Sequence, residues 1–343
     1  MPEKIHLNTV YGESIIFEPV LCELINSTMM QRLKKIHQYG ITYYIEKPHR
    51  YSRYDHSIGV FILLRNYGAS LHEQIAGLLH DVSHTAFSHI SDFLFDYKDK
   101  KNSYQDSIHK WFIQHTELIK ILKKFDIKIE DILHKNEKFS ALELDLPALC
   151  ADRIEYTLYG GYLEQLFTHS DINYLLSHLS IHYGKYIFTQ KEAAQKFAYA
   201  SLKLTKNHFT AHWNLITHMW AAQMLKYALK AKIITFDDIH FSYDDHLWEI
   251  LRNSHDHVIQ NYMNKLIHHH RFYTSKNADN YTVHLKGKFR GIDPHVKINN
   301  TIQPLSAIDN IFHQEFLATK KIVATGHYIK IHSFSKRIMQ TGI

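Results

Sequence analysis

Residues 51–92, YSRYDHSIGVFILLRNYGASLHEQIAGLLHDVSHTAFSHISD, constrain the chain more than any other stretch. Two apolar runs at helical spacing are expected as helices over 55–68 and 71–80. Polar residues of one particular kind bracket them. Arg53 and His56 open the first run, His80-Asp81 closes the second, and His84, His89 and Asp92 follow at once. Much farther along, Asp152 opens DRIEYTLYGG. Nitrogen and carboxylate donors thus come from three separate segments. A fold that joins those segments lets the donors act on one ion.

Neutral imidazole and carboxylate suit one divalent transition metal, Fe, Mn, Ni, Co or Zn. The lack of a thiolate argues against a structural zinc site. His56, His80, Asp81 and Asp152 would leave about two positions open on an octahedral cation, one for water and one for a phosphate oxygen. His80 and Asp81 lie about 100° apart on a regular helix, so both reach one ion only if the helix ends or bends there. Ser83 and Thr85, mediocre helix formers, agree with such an end. The chain holds 29 histidines, so a lone one carries no weight. His-Asp adjacency with Arg-x-x-His upstream and an aspartate downstream does carry weight.

RYDHSIGV, GLLHDVSHTAFSH and ADRIEY resemble the HD superfamily of metal-dependent phosphohydrolases. Within it the resemblance is to the dNTP triphosphohydrolase branch, which includes the SAM-and-HD-domain enzyme and bacterial relatives. It is most specific over residues 31–92. The resemblance implies a mainly α-helical bundle around one metal held by His56, His80, Asp81 and Asp152. It implies that Arg53 and Arg153 hold phosphate and that His84 and His89 protonate the leaving oxygen or activate water. Asp92 would orient one of these imidazoles, Tyr156 would line the pocket, and Gln38 and Tyr39 would meet the sugar. Relatives assemble as dimers or tetramers, so a homo-oligomer is expected, with Mg accompanying the nucleotide phosphates.

Three departures bear on substrate. Thr85-Ala86 stand where the family has Gly-Pro, and Ser83 replaces a glycine. Ser103 stands at an expected histidine, with His109 nearby. Tyr159-Gly160 replace an Arg-Asp pair whose aspartate binds sugar.

Composition sets the wider frame. With 45% hydrophobic residues the 343-residue chain can bury a large core. Cys22 and Cys150 fit no motif, which favours a reducing cytoplasm over a disulfide framework. No signal peptide and no apolar run long enough to cross a membrane is evident. A net charge of +6 suits anionic ligands; nucleic acid is not specifically indicated.

Along the chain, residues 4–18 read as a hairpin and 19–37 as a helix stopped by Gly40. The loop 41–54, rich in tyrosine and including His49 and Arg50, reads as a basic rim. Helices are expected over 87–96, 104–123 and 152–166, and a long helical stretch over 190–231. The run 96–102 reads as an exposed excursion. His208 and His212, and the run 268–270, read as core, surface or helix-end histidines. Strand-like alternation after 281 gives a small α/β appendage at 272–343, apart from an HD domain with its helical extension at 1–271, and suited to oligomerisation or regulation. Hydrolysis of a dNTP to deoxynucleoside and triphosphate leads the functional readings. An HD-type phosphatase of monophosphates or other esters, and a nucleotide- or nucleic-acid-binding regulator with a vestigial site, remain open beside it.

Overall fold

The computed structural model describes residues 4–46, 50–97, 103–133 and 138–332. His49, the 98–102 part of the charged run and the tail after 332 lie outside the described residues. Among the described residues the architecture is mainly helical with three small sheets. Among the described residues no helix is long and apolar enough to cross a membrane.

The N-terminal hairpin pairs Ile5–Thr9 with Gly12–Ile16. The helix expected over 19–37 breaks into Pro19–Asn26, Thr28–Arg32 and a 3₁₀ turn, Leu33–Lys35. Ser27 causes the break. Its hydroxyl donates to Leu24 O and accepts from Met30 N, so it ends one helix and caps the next. Gly40 follows at φ 53°, where a Cβ would stand 2.4 Å from Phe87 O. That glycine lets the 37–42 turn lie directly on the loop after His80.

The central pair is Arg53–Asn66 and Leu71–Leu79. Ser52 and Asp55 form a reciprocal capping box that fixes where the first of these begins. The second stops at Leu79, one residue before His80, as the two adjacent ligands require. The helix expected over 87–96 shrinks to Ile90–Leu94, because Phe87 and Ser88 take φ of 61° and 55°. The 104–123 stretch divides into Tyr104–Gln114 and Leu118–Lys124. Ala151–Leu163 carries Asp152 in its first turn. The 190–231 stretch becomes Lys191–Leu204, a π turn at Thr205–Phe209, and His212–Lys230.

Strands from both sides of residue 272 share one sheet. Leu179–His182 and Lys185–Phe188 form a hairpin, and Phe188 pairs in parallel with Val296 of His295–Ile298, which pairs in turn with Thr301–Pro304. Ile292, Val296, Leu305 and Phe312 are buried in the same core as Val60 and Leu78 of the central helices. A second apolar cluster gathers around Trp220, Met224 and Leu251. The chain after 272 is therefore packed into the helical body.

The loop 81–89 is held from a distance. Arg32 donates to His84 O (2.9 Å) and to Ser242 O (2.7 Å). Asp244, fully buried, accepts from Phe87 N (2.7 Å) and His37 N (2.9 Å). Asp244→Ala would orphan two buried N–H groups, each costing about 1–3 kcal/mol. We expect a loss of about 2–5 kcal/mol in urea unfolding with an unchanged slope. A midpoint equal to that of the parent protein would remove Asp244 from this role.

Candidate metal centre

His56 sits in the first turn of Arg53–Asn66, His80 just after Leu71–Leu79, and Asp152 in the first turn of Ala151–Leu163. Their donor atoms converge. His56 Nε2 lies 3.2 Å from His80 Nε2 and 3.0 Å from Asp152 Oδ1, and His80 Nε2 lies 3.8 Å from the same oxygen. Asp81 flanks the group, with an oxygen 3.6 Å from each imidazole nitrogen.

The outer hydrogen bonds fix the tautomers. His56 Nδ1 donates to Glu155, and His80 Nδ1 donates to Gly77 O at 2.7 Å. Both Nε2 atoms therefore present lone pairs, and these face each other across 3.2 Å. Two bare lone pairs at that distance repel unless a cation lies between them. The surrounding charge agrees. Burial opposes a charge on His56, but Glu155, Asp152 and Asp81 outweigh it and raise the ring to about 10. Burial likewise opposes the ionised form of Asp152, yet His56 and His80 hold it far below the usual carboxylate range. A set that would otherwise trap a proton this firmly is suited to a divalent cation, and the two-imidazole, two-carboxylate donor set fits a transition metal.

Sequence reasoning missed Glu155, which is 1% exposed. It accepts from the hydroxyls of Tyr51 and Tyr11, the latter at 3.1 Å, as well as from His56. Gly59, one turn after His56, makes room for it, since a Cβ there would stand 2.5 Å from Glu155 Oε1. A glutamate inside the apolar run after Asp152 was the available signal.

Arg53 is divided between support and ligand. Its Nη1 donates to Asp81 (2.7 Å) and its Nε to Ser88 Oγ (3.1 Å). Its Nη2 is buried without a hydrogen-bond partner among the described residues. His84 Nε2 lies 3.3 Å from Asp81, and His84 Nδ1 is also buried and unpartnered. The His84 and His89 rings meet edge to face at 5.1 Å. Burial and then Arg53 push His84 down to about 4, and the same causes hold His89 well below the usual imidazole range. Both imidazoles are neutral before a substrate arrives.

Beside this group opens a cavity of about 910 Å³. Gln38, Tyr39, Tyr156, His89 and Asp92 line it. None of the four candidate ligands lines it directly. Tyr51, bonded to Glu155, and His89, packed on His84, connect the two. Tyr39 donates to Glu164 at 3.4 Å, and Glu164 also pairs with His208 at 3.3 Å.

Other expected residues stand elsewhere. Arg153 does not face the cavity; its guanidinium is committed to the carbonyls of Ala148 (2.7 Å) and Leu144. A guanidinium holding two carbonyls braces the approach to Asp152, so the assigned phosphate contact is withdrawn. Asp92 accepts from Tyr104 N at 2.7 Å, and no hydrogen bond joins it to His84 or His89 among the described residues. Ser103 caps Tyr104–Gln114, and His109 is buried against Ser83 (2.9 Å), so neither replaces the family's histidine at the pocket. His208 and His212 bond to different partners, Glu164 and Tyr273.

Gly59→Ala should add helix propensity of up to about 1 kcal/mol while driving a methyl into Glu155. We expect a several-fold loss of bound metal, read by elemental analysis after Mn loading. A variant that keeps its metal and gains stability would show that the close approach is dispensable.

Residues 53–158 match the HD domain family. The chain is 33% identical to protein YdhJ of Bacillus subtilis, over 94% of this chain and 97% of that one. It is 41% identical to the metal-dependent phosphohydrolase cns2 of Cordyceps militaris, over 43% of this chain and 42% of that one. It is 35% identical to the deoxynucleoside triphosphate triphosphohydrolase SAMHD1 of Xenopus laevis, over 27% of this chain and only 17% of that one. A hypothetical protein from Aquifex aeolicus has a similar structure, with TM-score 0.69 and 17% identity over 91% of this chain and 93% of that one. A phosphohydrolase from Bacteroides thetaiotaomicron has TM-score 0.63 and 15% identity over 90% of this chain and 95% of that one. These two show a shared fold. The match to YdhJ spans nearly its whole length, and the HD match falls on the helices that carry the cluster. The chain belongs to the HD domain family and is one of its metal-dependent phosphohydrolases.

Proposed function

We propose that the chain hydrolyses deoxynucleoside triphosphates to deoxynucleoside and triphosphate. The observation that carries this reading is the cavity of about 910 Å³ beside the cluster, near the top of the range of about 300–1,000 Å³ for small-molecule sites. A nucleoside with a phosphate chain makes use of that space, whereas a small monoester leaves most of it to water. The partial likeness to the SAMHD1 triphosphohydrolase adds support.

When bound by His56, His80, Asp81 and Asp152, a divalent cation supplies charge neutralisation at the scissile phosphate and acidifies water. Arg53 turns its unpartnered Nη2 to a phosphate oxygen while Asp81 and Ser88 hold the rest of the guanidinium in place. Water adds to phosphorus as the bond to the 5′-oxygen breaks, and a proton is delivered to that oxygen. His89 lines the cavity and His84 stands behind it, so His89 is placed to pass that proton. Gln38 and Tyr39 meet the sugar, with Tyr39 bonded to Glu164. The bulk of Tyr39 penalises a 2′-hydroxyl.

A second reading, a phosphatase of nucleoside monophosphates or other esters, is favoured by one observation. Gly160 lines the cavity where the family resemblance places an aspartate, which removes a sugar contact.

Purified protein incubated with dNTPs, NTPs and nucleoside monophosphates, each with Mn, Mg, Fe, Co or Ni, decides between them. Triphosphate and deoxynucleoside separated by ion exchange are the expected products. Inorganic phosphate from monophosphates, with no triphosphate, would move the chain to the second reading. Asp81→Ala should abolish both bound metal and turnover. Retained metal with full turnover would remove Asp81 from the site.

A further inference from the structure

The cavity carries charge of both signs. Glu46, Asp92 and Glu164 line it alongside Lys286, Lys288 and Arg290, so neither sign prevails. The three carboxylates are not held alike. Asp92 accepts from Tyr104 N at 2.7 Å and lies in the field of Arg290 and Lys288. Glu46 pairs with His269 at 3.0 Å. Glu164 has two long contacts only, the Tyr39 hydroxyl at 3.4 Å and His208 Nε2 at 3.3 Å. Both exceed about 3.2 Å, the long end of an ordinary hydrogen bond. A carboxylate can take about four donors, and 22% of this side chain is exposed. Glu164 therefore keeps acceptor capacity on the cavity side.

Its surroundings leave space for a ligand. Glu164 caps the C-terminal end of Ala151–Leu163, beyond the HD match. Gly160, one turn earlier, also lines the cavity. Outside its own helix, a Cβ there would meet only Leu204 Cδ1, at 3.9 Å. The floor beside the carboxylate is thus open. Its two holders come from other segments. Tyr39 belongs to the 37–42 turn, and His208 to the π turn Thr205–Phe209, closed by Thr210 N donating to Thr205 O at 3.0 Å. Asn207, His208 and Phe209, three successive residues of that turn, all line the cavity. Such turns recur at functional sites.

The chemistry of the acceptor selects its ligand group. An ionised phosphate has no proton to offer a carboxylate and is repelled by it. A hydroxyl donates, and its bond to a carboxylate is about twice as strong as one to a neutral oxygen. A deoxynucleoside phosphorylated at its 5′-oxygen has one free sugar hydroxyl, at the 3′ position. Tyr39, which meets the sugar in the function proposed above, is the residue that touches Glu164.

Resting on that nucleotide reading, we propose that Glu164 accepts the hydrogen bond of the 3′-hydroxyl, with Tyr39 and His208 holding its carboxylate in place. The residue that selects a 3′-hydroxyl is then supplied from outside the HD span.

The test uses the full chain loaded with Mn and two 5′-phosphonate analogues of thymidine monophosphate, titrated by calorimetry. Carbon replaces the 5′-oxygen in both, so neither is hydrolysed there; one has the 3′-hydroxyl and the other lacks it. The parent protein should bind the hydroxylated probe about tenfold or more tightly, the value of a hydrogen bond to a charged group. Glu164→Ala should reduce that ratio to below about threefold. Glu164→Gln keeps an acceptor oxygen, and its ratio should fall between the two. If Glu164→Ala does not fold or binds neither probe, Glu164→Gln decides by the same ratio. A parent ratio near one, or a ratio that neither variant lowers, would overturn the proposal. A parent protein that binds neither probe would overturn it together with the nucleotide reading. Otherwise the two fail separately. A ratio that depends on Glu164, in a parent that releases no triphosphate from dNTPs, would overturn the triphosphohydrolase reading and keep the hydroxyl contact. Release of triphosphate with a parent ratio near one would overturn the contact alone.

Discussion

The hydrogen bond from His56 to buried Glu155 is the contact on which the rest of the centre depends. A carboxylate this deeply buried is costly unless its acceptor capacity is filled. Three donors fill it, from three parts of the chain: Tyr11 in the hairpin turn, Tyr51 before the first central helix, and His56 itself. The same contact sets the imidazole's tautomer and turns its lone pair toward His80 and Asp152. Helix Ala151–Leu163 comes this close only because residue 59 has no side chain. Hairpin, central helix and ligand-bearing helix are therefore registered on one carboxylate. If Glu155 moves, Asp152, one turn earlier on the same helix, moves with it.

A second constraint governs the phosphate side. The loop after Asp81 carries His84, Ser88 and His89, and it passes through two successive residues in the left-handed region. Non-glycine residues there cost energy that the surroundings must offset. Asp244 and Arg32 do so by filling the loop's polar groups, while Ser88 donates to His37 O and accepts from Arg53. Arg53 consequently has two of its three nitrogens already engaged. Its remaining nitrogen is held without a partner among the described residues, so under the proposed function a contact there would cost little further side-chain freedom.

The helical class was legible in apolar periodicity, and the group His56, His80 and Asp152 in the motifs that carry the HD resemblance. A histidine one turn into a helix and an aspartate at the start of another are positions that this resemblance marks. Helix ends were less legible. Ser27 and the 115–117 break interrupt runs whose apolar periodicity continues across them, so periodicity merges the pieces. Arg153 misled for a related reason. Adjacency to Asp152 does not fix direction, and neighbours on a helix point about 100° apart. Glu155 escaped because its partners lie far away in sequence. A lone buried glutamate is conspicuous only after Tyr11, Tyr51 and Gly59 have been placed around it.

The division between the parts that were legible and those that were not follows the division of labour in the site. Metal ligands, Arg53, His84 and His89 all fall within 53–158, the span that matches the HD domain. Most of the cavity wall falls outside it, in Gln38 and Tyr39, in Glu164, in the stretch from Leu204 to His218, and in Lys286 to Arg290. The His/Asp cluster and the two buried imidazoles are thus carried by one compact set of helices, and most of the cavity's wall by segments brought in by packing. A substitution in the outer set alters which anion fits while leaving the cluster's geometry in place. Likeness within the HD span identifies the class of reaction. The substrate has to be read from the walls, where the departure at Gly160 occurs.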